Sequence, residues 1–174
     1  MKAVAKTIKD YKLSYKKKSV STDSYLPRGA ASRSIGVCNG CGAVYMNKRW
    51  YAENGKSAIA KKETVQLTCP ACLKIRDNFP GGIVTLKGDY VLPHKADLMN
   101  LIRNEEERAR GLNPLERVIA IKENGFGSIV ISTTNEKLAQ RLGRAIKKAF
   151  HGDVAYHWSH DNKLVRVDWV REMD

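Results

Sequence analysis

The apolar positions of this chain change their pattern along its length. From Met1 to Ile35 they are sparse and follow no period. That stretch reads as an extended arm that orders only against a partner. From Val37 to about Tyr90, short β-type runs alternate with Gly- and Pro-bearing turns: Ala43-Val44-Tyr45, Lys48–Tyr51, Thr64–Thr68 and Ile83–Lys87. Leu73 to Phe79 reads as a short helical turn. From Pro93 to Arg110 the spacing becomes helical, with Leu98, Leu101 and Ile102 on one face and Pro93 suited to the first helical position. Arg103 to Arg110 is almost wholly charged, which predicts a solvated end, and Gly111 and Pro114 are expected to stop the helix.

The clearest pattern lies beyond Leu115. Val118–Ile121 and Ser128–Ser132 read as strands joined by a turn over Glu123–Gly127. Thr133 and Glu136 have capping-box spacing, opening a helix that places Leu138, Leu142, Ala145, Ile146 and Ala149 at helical intervals up to Phe150. His151-Gly152-Asp153 ends it. Val154–Ser159 and Leu164–Trp169 complete a β-β-α-β-β order, one helix against a small antiparallel sheet. The expected fold class is α+β. Its parts are a basic extended arm over 1–36, a four-cysteine zinc ribbon over 37–92, a linking helix over 93–113 and an α+β module over 114–174. No internal repeat is present.

Charge sharpens this picture. The chain of 174 residues carries 31 Lys and Arg against 18 Asp and Glu, a net charge of +13. The excess is graded: +7 over residues 1–37, +4 over 38–90 and +2 over 91–174. Such a gradient suits a polyanionic partner that releases condensed counterions, although a solubilising tail has the same composition. No stretch approaches the roughly 18 apolar residues of a membrane span, and the first residues lack the apolar centre of a signal peptide. A soluble, cytoplasmic protein is expected, without membrane association.

Four cysteines fall in two Cys-x-x-Cys turns, Cys38-Asn-Gly-Cys41 and Cys69-Pro-Ala-Cys72. Each such turn presents two sulfurs on one side, and two turns complete the tetrahedron that Zn2+ prefers. The interval between the pairs is 27 residues, longer than the usual ~15–20. It implies an inserted hairpin loop with Asn54-Gly55-Lys56 at its tip. Four cysteine ligands leave no open position for substrate, and the chain has no His-x-Glu of the deaminase type. The site reads as structural, and the protein as no enzyme with no small-molecule substrate. A thiol redox pair is the enzymatic alternative.

Candidate RNA contacts follow from cations near aromatics. Lys16, Lys17, Lys18, Arg28 and Arg33 lie on the arm, interleaved with Tyr11, Tyr15 and Tyr25, which can stack on bases or pack on the protein itself. Lys48, Arg49, Lys61 and Lys62 lie in the long loop, with Trp50 beside the first pair. Lys74 and Arg76 follow the second cysteine pair. On the last helix Lys137, Arg141, Arg144 and Lys148 form a stripe opposite the apolar face, fit either to track phosphates or simply to be solvated. His157 and His160 flank Trp158 near a strand end, where a ring can stack on RNA or bond a phosphate, although histidines in such places are more commonly structural.

The runs Cys38-x-x-Cys41-Gly42-Ala43-Val44-Tyr45, Lys48-x-Trp50 and Cys69-Pro70-Ala71-Cys72-x-x-Ile75-Arg76-Asp77 resemble a bacterial family of small zinc-ribbon proteins of unassigned biochemistry. Pro80-Gly81-Gly82 through Leu86-x-Gly88-Asp89, Leu101–Glu106 and Arg117–Ile121 continue the resemblance, which covers about residues 37–170. That family is distantly similar to the N-terminal half of the archaeal and eukaryotic adaptor for large-ribosomal-subunit export, the nonsense-mediated-decay-three protein. The adaptor carries more cysteine pairs and a further barrel domain for which this chain has no room. The resemblance implies contact with ribosomal RNA and association with the ribosome, chiefly its large subunit, as an assembly, quality-control or dormancy factor. It does not require oligomerisation. A zinc-ribbon DNA-binding regulator and a protein-interaction adaptor are the alternatives that charge alone leaves open.

Overall fold

The structure, a computed structural model, describes residue 25 and residues 35–52, 64–124, 127–159 and 164–173. The cations of the expected arm, the Asn54–Lys56 tip, Lys61 and Lys62 lie outside the described residues. Among the latter, the chain forms two sheets and three helices in a mixed α+β arrangement.

The first sheet contains β1 (Ile35–Cys38), β2 (Val44–Met46), β3 (Arg49–Tyr51) and β4 (Thr64–Leu67), in the order β3-β2-β1-β4. The sequence reading gave Ile35 and Gly36 to the arm; they belong to β1, a short run held by neighbours on both sides. β2 and β3 form a hairpin whose two-residue turn is Asn47-Lys48, with φ of 51° and 63°. Positive φ at both positions matches the twist of the flanking strands, so Lys48 sits in the turn and not in the strand. β1 and β4 pair in parallel, with Cys38 opposite Leu67. A short helix, α1 (Pro70–Arg76), follows. It starts three residues earlier than expected, because Pro70 at its first position fits the helix and Cys69 caps it.

The second unit starts with β5 (Gly82–Lys87), then α2 (Lys95–Leu112), β6 (Val118–Asn124), β7 (Ser128–Thr133), α3 (Glu136–Phe150), β8 (Asp153–Trp158) and β9 (Val165–Val170). Its sheet order is β6-β7-β5-β9-β8. Sequence reasoning placed β5 with the cysteine unit; it is instead the middle strand here, antiparallel to β7 and parallel to β9. The sheet is therefore mixed, not antiparallel, and has five strands where β-β-α-β-β supplied four.

Strand alternation sends Val84, Leu86, Ile129, Ile131, Val165, Val167 and Trp169 to one face, where α2 and α3 cover them with Leu98, Ile102, Leu138, Leu142 and Ile146. α2 starts at Lys95, with Pro93 in the preceding turn and His94 at the cap. It runs through Gly111 to Leu112. Pro114 supplies the stop, since a residue preceding proline avoids helical backbone and Asn113 is extended at φ −145°, ψ 106°. At α3 the cap is Asn135, whose side chain accepts from the Leu138 amide. Thr133 is the last residue of β7 and spends its hydroxyl on Gly82 and Asn135 carbonyls, so the expected capping box does not form. No helix among the described residues is long and apolar enough to cross a membrane.

Candidate metal centre and cationic surfaces

The parallel pairing of β1 and β4 builds the cysteine site. Both strands end at the same edge, so the turn after β1 and the turn after β4 lie side by side. Cys38 closes β1, and Cys41 follows in a turn held by Gly42 N–H donating to the Cys38 carbonyl at 2.9 Å. Gly42 has φ of 72°, a backbone that a side chain resists. Two bonds lock the turns together: the Asn39 amide donates to the Leu67 carbonyl at 2.9 Å, and the Thr68 hydroxyl to the Asn39 side chain at 3.1 Å. Cys72 lies in the first turn of α1, facing Cys69.

All four Sγ atoms lie within 4.8 Å of one another, with Cys38–Cys72 at 3.8 Å and Cys41–Cys69 at 3.6 Å. A tetrahedron with metal–sulfur bonds of ~2.3 Å requires sulfur–sulfur edges of about 3.8 Å. The four thiols can therefore hold one metal ion with little movement. Backbone amides already point at the sulfurs, from Cys69 to Cys38 at 3.2 Å and from Cys72 to Cys69 at 3.4 Å. Burial pushes the Cys38 thiol up, but the amides of Cys69, Cys41 and Gly40 outweigh it and bring it down to about 7. At Cys69 and Cys72 burial prevails, and both thiols are held above their usual range. A cation at the centre would relieve that burden by replacing protons with one shared charge.

The site is joined to the second unit. Arg117, just before β6, donates from Nη1 to Cys72 Sγ at 3.3 Å. Leu115 packs against the cysteine cluster. Its carbonyl accepts from the Thr134 hydroxyl at 2.6 Å, and the Thr134 carbonyl accepts from Lys74 Nζ at 3.3 Å. Sequence reasoning missed Arg117 and Thr134, because nothing in their local sequence marks them as neighbours of a cysteine turn.

The candidate RNA residues divide by placement. Lys16, Lys17, Lys18, Arg28, Arg33, Lys61 and Lys62 are outside the described residues. Lys48 and Arg49 are exposed at the hairpin turn. Trp50 is turned inward: it packs against the cysteine cluster and against Tyr45, ring centroids 5.1 Å apart, and its Nε1 is buried. Lys74 spans the two units and lies over the Tyr25 ring at 5.6 Å. Arg76 is exposed but paired with Asp77 at 2.7 Å. On α3, Arg144 and Lys148 are exposed and Arg141 is half-buried.

Comparison of the chain with protein-family models, with curated proteins and with solved structures finds no match in any of the three.

Proposed function

We propose that this chain is a non-enzymatic, zinc-stabilised protein that binds ribosomal RNA and associates with the ribosome through its large subunit. The observation that carries the zinc part is the closed set of four thiols at tetrahedral spacing, ready-made for a thiophilic d10 cation. Zn2+ held there would tie β1, β4 and α1 into a ribbon whose apolar core is otherwise very small. With four protein ligands the ion's role is structural.

The RNA part is supported by charge and by the resemblance of the cysteine motifs to zinc-ribbon proteins. The net charge of +13 is more than surface solubility requires. On α3 five cations accompany a single carboxylate, Glu136, and none of the five forms an ion pair among the described residues. Cations left unpaired on a rigid helix are available to phosphates.

Sedimentation of a lysate through sucrose at low and high salt tests the reading. Co-migration with the large subunit or whole ribosome, lost at high salt, is the expected result. If the protein stays at the top of the gradient at every salt, the ribosomal assignment falls, and competition between structured RNA and duplex DNA decides whether it is a DNA-binding regulator instead.

A further inference from the structure

One aromatic pair with an exposed tryptophan lies beside the cationic helix. Tyr156 and Trp158, two residues apart on the edge strand β8, pair in register with Val167 and Val165. Those valines are fully buried beneath the helices, so both aromatic rings stand on the helix side of the sheet. The rings lie nearly parallel, 21° apart, with centroids separated by 5.9 Å. Tyr156 is half-buried, whereas Trp158 is 55% exposed although it is among the largest apolar side chains in the protein.

The adjacent helix explains how this pair is held and what surrounds it. Gly143 permits the close approach: a Cβ there would lie 3.0 Å from the Tyr156 hydroxyl and 2.6 Å from Val167. Helical spacing sets Gln140 and Lys147 beside Gly143, at i−3 and i+4, and Arg144 in one row with those two, four residues after Gln140 and three before Lys147. Burial raises the Tyr156 phenol above its ordinary value and Arg144 opposes that rise, which places the guanidinium within electrostatic reach of the ring. β8 runs back along α3, so the step from Tyr156 to Trp158, about 6.6 Å, moves one helical turn toward Lys137.

An exposed apolar ring on the strand next to a helix of unpaired cations is complementary to one chemistry above others, a base whose face is free and whose phosphate is nearby. Duplexes keep their base faces stacked internally. We infer that Trp158, backed by Tyr156, seats an unpaired nucleobase of a single-stranded RNA segment, with Arg144, Lys147 and Lys137 on its phosphates. This inference rests on the RNA-binding reading and specifies the form of RNA that this face accepts.

Fluorescence anisotropy with the full chain tests it, using an oligouridylate of about 12 nucleotides and an RNA duplex of similar length. Trp158→Ala is expected to weaken oligouridylate binding about 5- to 150-fold, leaving duplex binding and the melting temperature unchanged. Trp158→Phe, which keeps a ring, should restore most of that loss. Equal oligouridylate affinity for Trp158→Ala and the unaltered chain overturns the stacking seat alone, if the unaltered chain binds RNA. Absence of binding to both RNAs removes the RNA reading together with this inference. Capture of poly-glutamate but not oligouridylate reassigns the face to an acidic protein and also overturns it.

Discussion

Arg117 and Cys72 are 45 residues apart in sequence, yet Nη1 of the first donates to Sγ of the second at 3.3 Å. The contact ties the cysteine cluster to the five-stranded unit. It also sets a positive charge beside a group that would be anionic, since four thiolates exceed the charge of a divalent ion by two. Arg117→Ala should therefore weaken both the metal site and the junction. Loss of a hydrogen bond to a charged group costs ~1.5–3 kcal/mol, and about half that is expected here because Arg117 is only half-buried. Loss of a group that supports a metal ligand typically lowers metal affinity by about 10–100-fold. Arg117→Lys should fall between, keeping charge without the forked geometry. Competition with a coloured zinc chelator measures this, and an unchanged affinity for Arg117→Ala would mean the contact is incidental.

Metal removal should affect the two units unequally. Around the cysteines the fully packed cluster consists of Cys38, Ala43, Cys69 and Ala71, whereas the second unit buries fifteen apolar residues. Structural zinc contributes ~10–16 kcal/mol in small zinc modules, far more than four small side chains can supply. Chelation, or Cys69→Ser, should release the amides of β1, β4 and α1 to hydrogen exchange while those of β5, β7 and β9 stay protected. Uniform loss of protection would show that the second unit depends on the first.

The sequence carried much of this fold because most of it is locally encoded. The 3.6-residue spacing of Leu138, Leu142 and Ile146 and the alternation along β7 and β9 locate those elements to within a residue or two. The cysteine pairs were legible for a chemical reason, since few other roles demand that spacing. What local patterns could not supply was pairing. Gly82–Lys87 follows α1 directly, and only its nonlocal ladders with β7 and β9 assign it to the second sheet. Trp50 was misleading in the same way: a tryptophan beside Lys48-Arg49 looks like an RNA contact, but the β2–β3 register turns it toward the cysteines. At Trp158 the sequence signal fell on the flanking histidines as candidate RNA contacts, and the exposure of the tryptophan itself emerges only from its place on an edge strand.

Close packing of α3 on the sheet depends on glycine at Gly82, where a Cβ would lie 2.5 Å from the Ala139 Cβ and 2.7 Å from the Thr133 hydroxyl oxygen. Gly82→Ala is expected to destabilise by about 1–3 kcal/mol through overpacking. Gly111, in the last turn of α2, has nothing within 4 Å of the same position. Gly111→Ala should stabilise by up to about 0.5–1 kcal/mol, since alanine loses less backbone freedom in a helix. Urea unfolding of the second-unit transition compares the two. Equal effects of the same substitution at both positions would contradict the packing account.

The cations of α3 and the ion-paired cations elsewhere should behave differently toward RNA. Arg144 and Lys148 have no carboxylate partner among the described residues, while Lys95 pairs with Glu123 at 2.6 Å and Arg108 with Glu105 at 2.8 Å. A paired cation must surrender its carboxylate before it can neutralise a phosphate, so its net gain on binding is small. Replacing Arg144 and Lys148 with glutamine should lower affinity for structured ribosomal RNA and flatten the dependence of log K on log salt by about 0.7–0.9 for each lost phosphate contact. The same change at Lys95 and Arg108 should leave the slope unaltered. Titrations at several salt concentrations separate these outcomes. If the Lys95 and Arg108 pair proves the more damaging, the RNA-facing surface lies on α2 and not on α3.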